Sequence, residues 1–362
     1  MKKYYKLFPS LTPVKGYLRS LLLDSSRDNY YFIPNDLYEI ISEDFIDVNK
    51  LYEEHPDDIT IIDDYIQFLT KNELIFEVSS KDESSFPKLS TNWETPSQIT
   101  NMVIDVGNYE IQKDKFSFEI GKLGVHSLEI RVFELKYLEY TNQFVSFLSG
   151  ENRLNRLKNI QINISVNNQS LSSLQKKIIL TLAKNPIINT VNIFSLNKFL
   201  KLENEKIHIH EKKVLNEKDC GVVDNNINSL TRNLIFESMS YNSCLNCKLS
   251  VDSNGNIKNC PSMSKSFGKI NDKNLDEIIQ APGFKKYWDI SKDSIDVCKD
   301  CEFRYICTDC RVYTERNHID KDNLDFSKPL KCSYDPYTGN LNPWKEDIDK
   351  KEVIKFYDLT NF

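Results

Sequence analysis

The 362-residue chain is poor in glycine and histidine, with 10 and 5 respectively, and has no glycine between Gly150 and Gly221. Close backbone approach to a ligand is not expected in that stretch, because such approach favours a residue without Cβ. No apolar run reaches the roughly 20 residues of a membrane-spanning helix. The N-terminal MKKYYKLFPSL lacks the apolar core of a secretory signal. Positive charge is not in excess either: 47 Lys and Arg stand against 53 Asp and Glu, a net charge of -6. That balance removes the electrostatic case for nucleic acid or an anionic membrane as partner. A cytoplasmic protein is therefore expected. Also missing are a nucleophile with an adjacent base, a phosphate-binding glycine loop, and paired carboxylates at a spacing that specifies acid-base work. Cysteine is absent before Cys220, the first of nine, and the other eight lie from Cys244 to Cys332. In a reducing cytosol, cysteines concentrated in one region point to metal binding or redox chemistry rather than disulfides.

What is present supports a folded α/β chain of two or three domains, with 40% hydrophobic and 11% aromatic residues to build their cores. Residues 1–80 read as a winged-helix-like module. Gly16–Leu23 and Tyr30–Ile33 form a hairpin around the turn-rich DSSRDN; Ile61, Ile62, Tyr65, Ile66 and Leu69 repeat at helical spacing; Glu73–Val78 returns as a strand. Residues 81–97, polar with two prolines, suit a linker. Over residues 98–240, short β-rich runs (MVIDV, SLEIRV, IQINIS, INTVNIF and IHIH) alternate with helical stretches at Leu135–Leu148 and Leu171–Ala183. That alternation predicts a partial (β/α) barrel or an open parallel sheet, too short for eight units. Residues 241–362 are loop-rich and cysteine-rich, with one helix expected in NLDEIIQAPGFKKYW and a charged, partly helical tail beyond Pro343.

The cysteines follow a pattern. Cys244 and Cys247 form a CLNC pair, Gly255 stands ahead of Cys260, CKDCEFRYICTDC carries Cys298, Cys301, Cys307 and Cys310, and Cys332 closes the set. Two thiolates on one tight turn can reach the same ion or cluster, so eight suit two four-fold sites. Two structural zinc sites would use the same ligands, and zinc remains the alternative metal. In order and spacing, the set resembles the SPASM domain found at the C-terminal end of many radical SAM peptide-modifying enzymes. That family usually has three residues between the last two cysteines of the central block; here there are two, Thr308 and Asp309. The resemblance implies two [4Fe-4S] clusters with interleaved ligands. Cys244, Cys247, Cys260 and Cys310 would hold the first; Cys298, Cys301, Cys307 and Cys332 would hold the second.

A radical SAM enzyme also carries CxxxCxxC in the loop after its first barrel strand. Here MVIDV is followed by GNYEIQKDKFSFE, without a cysteine, and the glycine-rich segment expected after the second strand is missing from SLEIRVFELKYLEY. No SAM binding and no independent radical catalysis are expected. The layout then resembles the SPASM-domain peptide maturase of grasp-with-spasm systems, a radical SAM-like family without the radical SAM cluster. The resemblance implies a precursor peptide and an ATP-grasp ligase as partners, with the peptide leader captured at the N-terminal module by strand addition to the hairpin. An iron-sulfur electron-transfer protein and a zinc-stabilised peptide-binding adaptor are the alternative functions.

The remaining candidates receive plainer readings. His208 and His210 fall on one face of a strand, which reads as a solvent-facing edge because no carboxylate supplies a third ligand. Arg304 and Arg311 flank cluster cysteines and are expected at the surface. Cys220 reads as a small buried hydrophobe, or else as a substitute ligand for Cys244. His126 and His318 have no partner legible in the sequence.

Overall fold

A computed structural model describes residues 4–43, 45–79, 85–86, 89–151, 154–166, 170–194, 202–223 and 230–360. The chain forms two compact units, neither continuous in sequence. The first gathers Met1–Trp93, Val223–Ser243 and Ile290–Tyr357; the second gathers Glu94–Val222, Cys244–Asp289 and Asp358–Phe362. These units cut across the sequential segments expected from composition, and the cysteine-rich part contributes to both. Part of the expected linker, residues 81–84 and 87–88, lies outside the described residues; the remainder carries no helix or strand beyond one short turn.

The first unit begins with β1 (Tyr4–Leu7), β2 (Leu11–Val14), β3 (Ser20–Asp24), β4 (Asn29–Ile33), α1 (Asn35–Ser42), β5 (Ile46–Asp47), α2 (Val48–Glu54), α3 (Ile59–Lys71) and β6 (Ile75–Val78). Two three-stranded antiparallel sheets result, ordered β5-β1-β6 and β2-β3-β4. The expected hairpin is β3–β4, and Asp24 shapes its turn by accepting the Ser26 amide at 3.0 Å and pairing with Arg27 Nη1 at 2.9 Å. Because side chains alternate across a strand, β3 serves two cores. Leu22 joins Leu11, Ile33, Leu37, Ile41 and Leu69. Leu21 and Leu23 join Val14, Leu230, Ile235 and Ile306. The amino-terminal hairpin is thus built into the same unit as one of the cysteine loops.

The second unit is a single open sheet. Its strands are β7 (Asn101–Asp105), β8 (Ser127–Val132), β9 (Asn159–Ser165), β10 (Ile188–Phe194), β11 (Ile207–His210), β12 (Lys248–Val251) and β13 (Ile257–Lys258), in the order β11-β10-β9-β8-β7-β12-β13. All neighbours are parallel except the β12–β13 hairpin. Helices α4 (Lys113–Leu123), α5 (Leu138–Gly150) and α6 (Ser173–Lys184) join β7 to β8, β8 to β9 and β9 to β10. One sheet face is almost wholly apolar: Met102, Ile104, Ile130, Ile162, Ile193 and Leu249 are at most 1% exposed. The registers place Lys248, Asp105, Glu129, Arg131, Asn163 and Asn192 on the other face.

Three local expectations change. The stretch after β7 is not all loop, because Phe116, Ile120 and Leu123 repeat at helical spacing and bury one side of α4, which Gly124 ends at φ 77°. The helix expected over NLDEIIQAPGFKKYW spans only Leu275–Ile279. Pro282 and Gly283 follow too closely for it to continue. The hairpin's first strand starts at Ser20 rather than Gly16.

Candidate iron-sulfur centres

In the second unit, Cys244, Cys247 and Cys260 are held around the β12–β13 hairpin. Cys247, at φ 46°, ends the CLNC loop immediately before β12, and its carbonyl accepts the Thr100 amide at 2.8 Å. The Asn259 side-chain amide donates to the carbonyls of Leu245 (3.0 Å) and Lys248 (2.7 Å), fastening that loop to the chain entering Cys260. Gly255 occupies the hairpin turn at φ 76°, and a Cβ there would lie 3.1 Å from Tyr109 Cγ. The glycine of the spacing pattern therefore answers to turn geometry. Asp252 closes the same turn, accepting the amides of Asn254 and Asn256, each at 2.9 Å.

Lys248, on the polar sheet face, donates from Nζ to Cys244 Sγ at 3.5 Å. Burial opposes its charge, but the thiols of Cys244, Cys260 and Cys220 outweigh that and raise its pKa. Cys220, read from the sequence as a small buried hydrophobe or else a substitute ligand for Cys244, is exposed as a residue. It lines a cleft of about 140 Å³ with Glu129, Arg131, Asn163, Ser165 and Asp219. Its thiol is nonetheless pushed up, first by desolvation and then by Cys244.

Behind the cleft, Arg131 binds Asp105 bidentately, Nε to Oδ1 at 2.5 Å and Nη2 to Oδ2 at 2.8 Å. Hydrogen bonds continue across the strands: Asn163 Nδ2 donates to Glu129 Oε1 (2.7 Å), Asn192 Nδ2 to Asn163 Oδ1 (2.8 Å), and His210 Nε2 to Asn192 Oδ1 (3.0 Å). Burial, then His208 and Lys212, lower the His210 pKa. His208 is exposed on the edge strand β11, while His210 is half-buried against Phe194.

The first unit holds Cys298, Cys301, Cys307, Cys310 and Cys332. A one-turn helix, Cys298–Asp300, follows Val297 at φ 66°, a conformation that a β-branched residue adopts only under constraint. The Cys301 amide returns to the Cys298 carbonyl at 3.0 Å. Burial pushes all three of Cys298, Cys301 and Cys307 up, Cys307 to about 11. Cys332 is a secondary cause for each, and Cys307 for the other two. These four sulfurs therefore share one electrostatic environment. Unmetallated, Cys298, Cys301 and Cys307 are protonated at neutral pH, and metal binding must release those protons. Lys292, 3% exposed, donates to the Cys307 carbonyl and lowers that thiol's pKa against burial.

Arg304 and Arg311 are not the surface residues expected. Arg311 and Asp309 both have fully buried side chains and pair at 2.7 Å, while Arg311 Nη1 donates to the Asp325 and Ser327 carbonyls. Asp309 also accepts from Asn242 Nδ2 at 2.6 Å. Arg304 pairs with Asp293 at 2.7 Å and donates to the Cys301 carbonyl at 3.1 Å. His126 meets Ser97 Oγ at 3.1 Å, and the exposed His318 meets Asp296 at 2.6 Å.

Among the described residues, no three or more His, Cys, Asp or Glu side chains lie close enough to hold one ion. No helix among them is long and apolar enough to cross a membrane. The donor chemistry fits an iron-sulfur cluster: thiols in packed surroundings, with Lys248 beside one set and Lys292 beside the other to offset thiolate charge.

Among comparisons with known proteins, one family model matches part of the chain. No curated protein matches. Streptococcus suis SuiB bound to S-adenosylmethionine is 11% identical, covering 85% of this chain and 96% of that one, at TM-score 0.35. SuiB bound to the precursor peptide SuiA is 12% identical, covering 86% and 96%, at 0.35. The anSMEcpe structure with bound AdoMet and Cp18Cys peptide is 12% identical, covering 73% and 98%, at 0.39. Residues 241–302, with Cys244, Cys247, Cys260, Cys298 and Cys301, match the family model of SPASM, an iron-sulfur cluster-binding domain.

Proposed function

We propose that this chain is a non-radical iron-sulfur protein that binds a ribosomal precursor peptide and assists its maturation by a partner ATP-grasp ligase. The observation that carries the metal part is the match of residues 241–302, with Cys244, Cys247, Cys260, Cys298 and Cys301, to the model of an iron-sulfur cluster-binding domain. Cys298, Cys301, Cys307 and Cys332 would hold one [4Fe-4S] cluster. Cys244, Cys247, Cys260 and Cys310 are the ligands that the family resemblance gives for the other. Bound clusters would supply folding free energy to loops with little core of their own. The reading is non-radical because Val106–Gln112, the loop after β7, has no cysteine. The peptide part is supported by the resemblance and by the polar sheet face with its cleft.

Metal analysis tests the first part. Anaerobically prepared protein should hold about eight irons and eight sulfides, falling to about four of each in Cys298→Ala/Cys301→Ala, since each cluster takes four thiolates. Zinc without sulfide would replace this reading with a zinc-stabilised adaptor. Isothermal titration of the holoprotein with peptides encoded beside its gene tests the second part, as does co-elution with a neighbouring ATP-grasp ligase. SAM cleavage by the reconstituted protein would overturn the non-radical assignment. Lysines beside both cysteine sets favour a second reading, electron transfer, which requires reversible reduction of the clusters and turnover of an acceptor.

A further inference from the structure

We infer that the cleft at the carboxyl ends of β8, β9 and β10 is a subsite for a carboxamide, the side chain of a glutamine or asparagine in the bound peptide. The inference rests on the peptide-binding reading above and names the chemistry that the sheet would select.

In an open parallel sheet, ligands bind in the crevice beyond the carboxyl ends of the strands. The cleft of about 140 Å³ lies there, between Arg131 near the end of β8, Phe133 just past it, and Phe194 at the end of β10. The two rings supply apolar wall, and Glu129, Arg131 and Asn163 supply a few polar groups, the usual make-up of a small-ligand site. A cavity of about 150 Å³ holds benzene, so an amide side chain fits this one.

Arg131 is held ready for one more bond. Asp105 engages its Nε and Nη2 at 2.5 and 2.8 Å, and the residue is 8% exposed. Its Nη1 has no hydrogen-bond partner among the described residues and is not sealed from solvent. Glu129 stands two residues earlier on the same face, so the two side chains start roughly 6.6 Å apart. Asn163 Nδ2 occupies Glu129 Oε1 at 2.7 Å, and Asn163 is fixed in turn by Gln161 (3.1 Å) and Asn192 (2.8 Å) on its Oδ1. Glu129 Oε2 has no hydrogen-bond partner among the described residues. One open donor and one open acceptor thus line the cleft, each on a side chain steadied by its neighbours.

A carboxamide satisfies both, its oxygen accepting from Arg131 Nη1 and its nitrogen donating to Glu129 Oε2. A carboxylate would meet Glu129 and Asp219, while the charge of Arg131 is already matched by Asp105 and Lys248 is bonded to Cys244 Sγ. An ammonium would leave Nη1 without an acceptor and set a second cation beside it. An apolar side chain would leave both groups unpaired, which a site built for hydrogen bonds penalises.

Ligand-observed saturation-transfer NMR on the holoprotein tests this with the N-acetyl methylamides of glutamine, glutamate and norleucine at neutral pH. Wild type should bind the glutamine probe at least about tenfold more tightly than either other probe, the weight of one charge-assisted hydrogen bond. Glu129→Gln keeps the oxygen that Asn163 holds and turns the open acceptor into a donor, so the preference should reverse to glutamate. The wild-type ranking decides even where that variant fails to fold. No binding, equal binding of the three probes, or an unchanged ranking in Glu129→Gln overturns the inference. A precursor peptide that binds equally well after its glutamines and asparagines are replaced by alanine overturns the subsite and leaves the peptide reading standing. Selective binding of the glutamine probe without binding of any peptide supports the subsite and refutes the peptide reading, so the two failures are distinct.

Discussion

Asp105→Asn should be among the most destabilising single changes in the second unit. The carboxylate is 1% exposed and its partner Arg131 8%, and two short hydrogen bonds join them. Burial pushes the Asp105 carboxyl up against the pull of Arg131, so the pair persists because each charge compensates the other. Asparagine removes one charge without changing the shape, leaving a packed guanidinium uncompensated. Losing one partner of a buried pair costs about 3–5 kcal/mol. Glu129 also acts on Arg131 and cushions the loss, which puts the expected value near the lower end. With a urea slope of about 2–3 kcal/mol/M, the midpoint should fall by roughly 1 M or more. Asp105→Leu/Arg131→Met, which removes both charges, should recover most of that loss. Far-UV circular dichroism in urea reads all three proteins. A single variant costing under about 1 kcal/mol, or a double variant no more stable than the single one, would refute the reasoning.

Other perturbations have signed outcomes. Burial raises the Asp252 pKa, but hydrogen bonds from Lys258 and Asn256 outweigh it and hold the carboxyl below its usual range. Its contribution is present above the unfolded value near 3.8 and lost as pH falls through the folded value. The stability advantage of wild type over Asp252→Asn should therefore be full at pH 7 and shrink below about pH 4, as thermal melts across pH would show. Lys248→Met removes a hydrogen bond to Cys244 Sγ and a nearby positive charge, so if the proposed cluster binds there its midpoint potential should fall in an EPR-monitored titration. Gly255→Ala places a Cβ at φ 76° against Tyr109 and should cost about 1–2 kcal/mol in denaturation.

The parallel strands were legible because their residues alternate. Leu128, Ile130 and Val132 fall on the apolar face and Glu129 and Arg131 on the polar one. Helix α6 was legible from its length and apolar periodicity, and in the structure the capping box of Ser172 with Gln175 fixes its start. The CLNC and CKDC pairs, which fall within the segment matching the SPASM model, were legible because paired cysteines close in sequence stand out in a chain otherwise poor in them. The places of Lys248 beside Cys244 and of Lys292 beside Cys307 could not be read, since each depends on which loops meet in space. Arg304 and Arg311 were misplaced for the same reason: their carboxylate and carbonyl partners become visible only once the cysteine loops are folded. The two discontinuous units were equally hidden, because composition changes along the chain and contacts do not follow it.

The dual-faced strand β3 makes the order of synthesis matter. Leu22 finds Leu37, Ile41 and Leu69 soon after translation, but Leu21 and Leu23 wait for Ile235 and then Ile306. At about 5–20 residues per second, the interval from Leu23 to Ile306 lasts roughly 15 to 60 s. During that time one side of the nascent hairpin remains apolar and unpartnered, a surface on which a chaperone can act. Ile306 immediately precedes Cys307. Burial of that waiting surface therefore coincides with arrival of the central cysteine block, so the N-terminal hairpin stays half-partnered until most of the chain has been made.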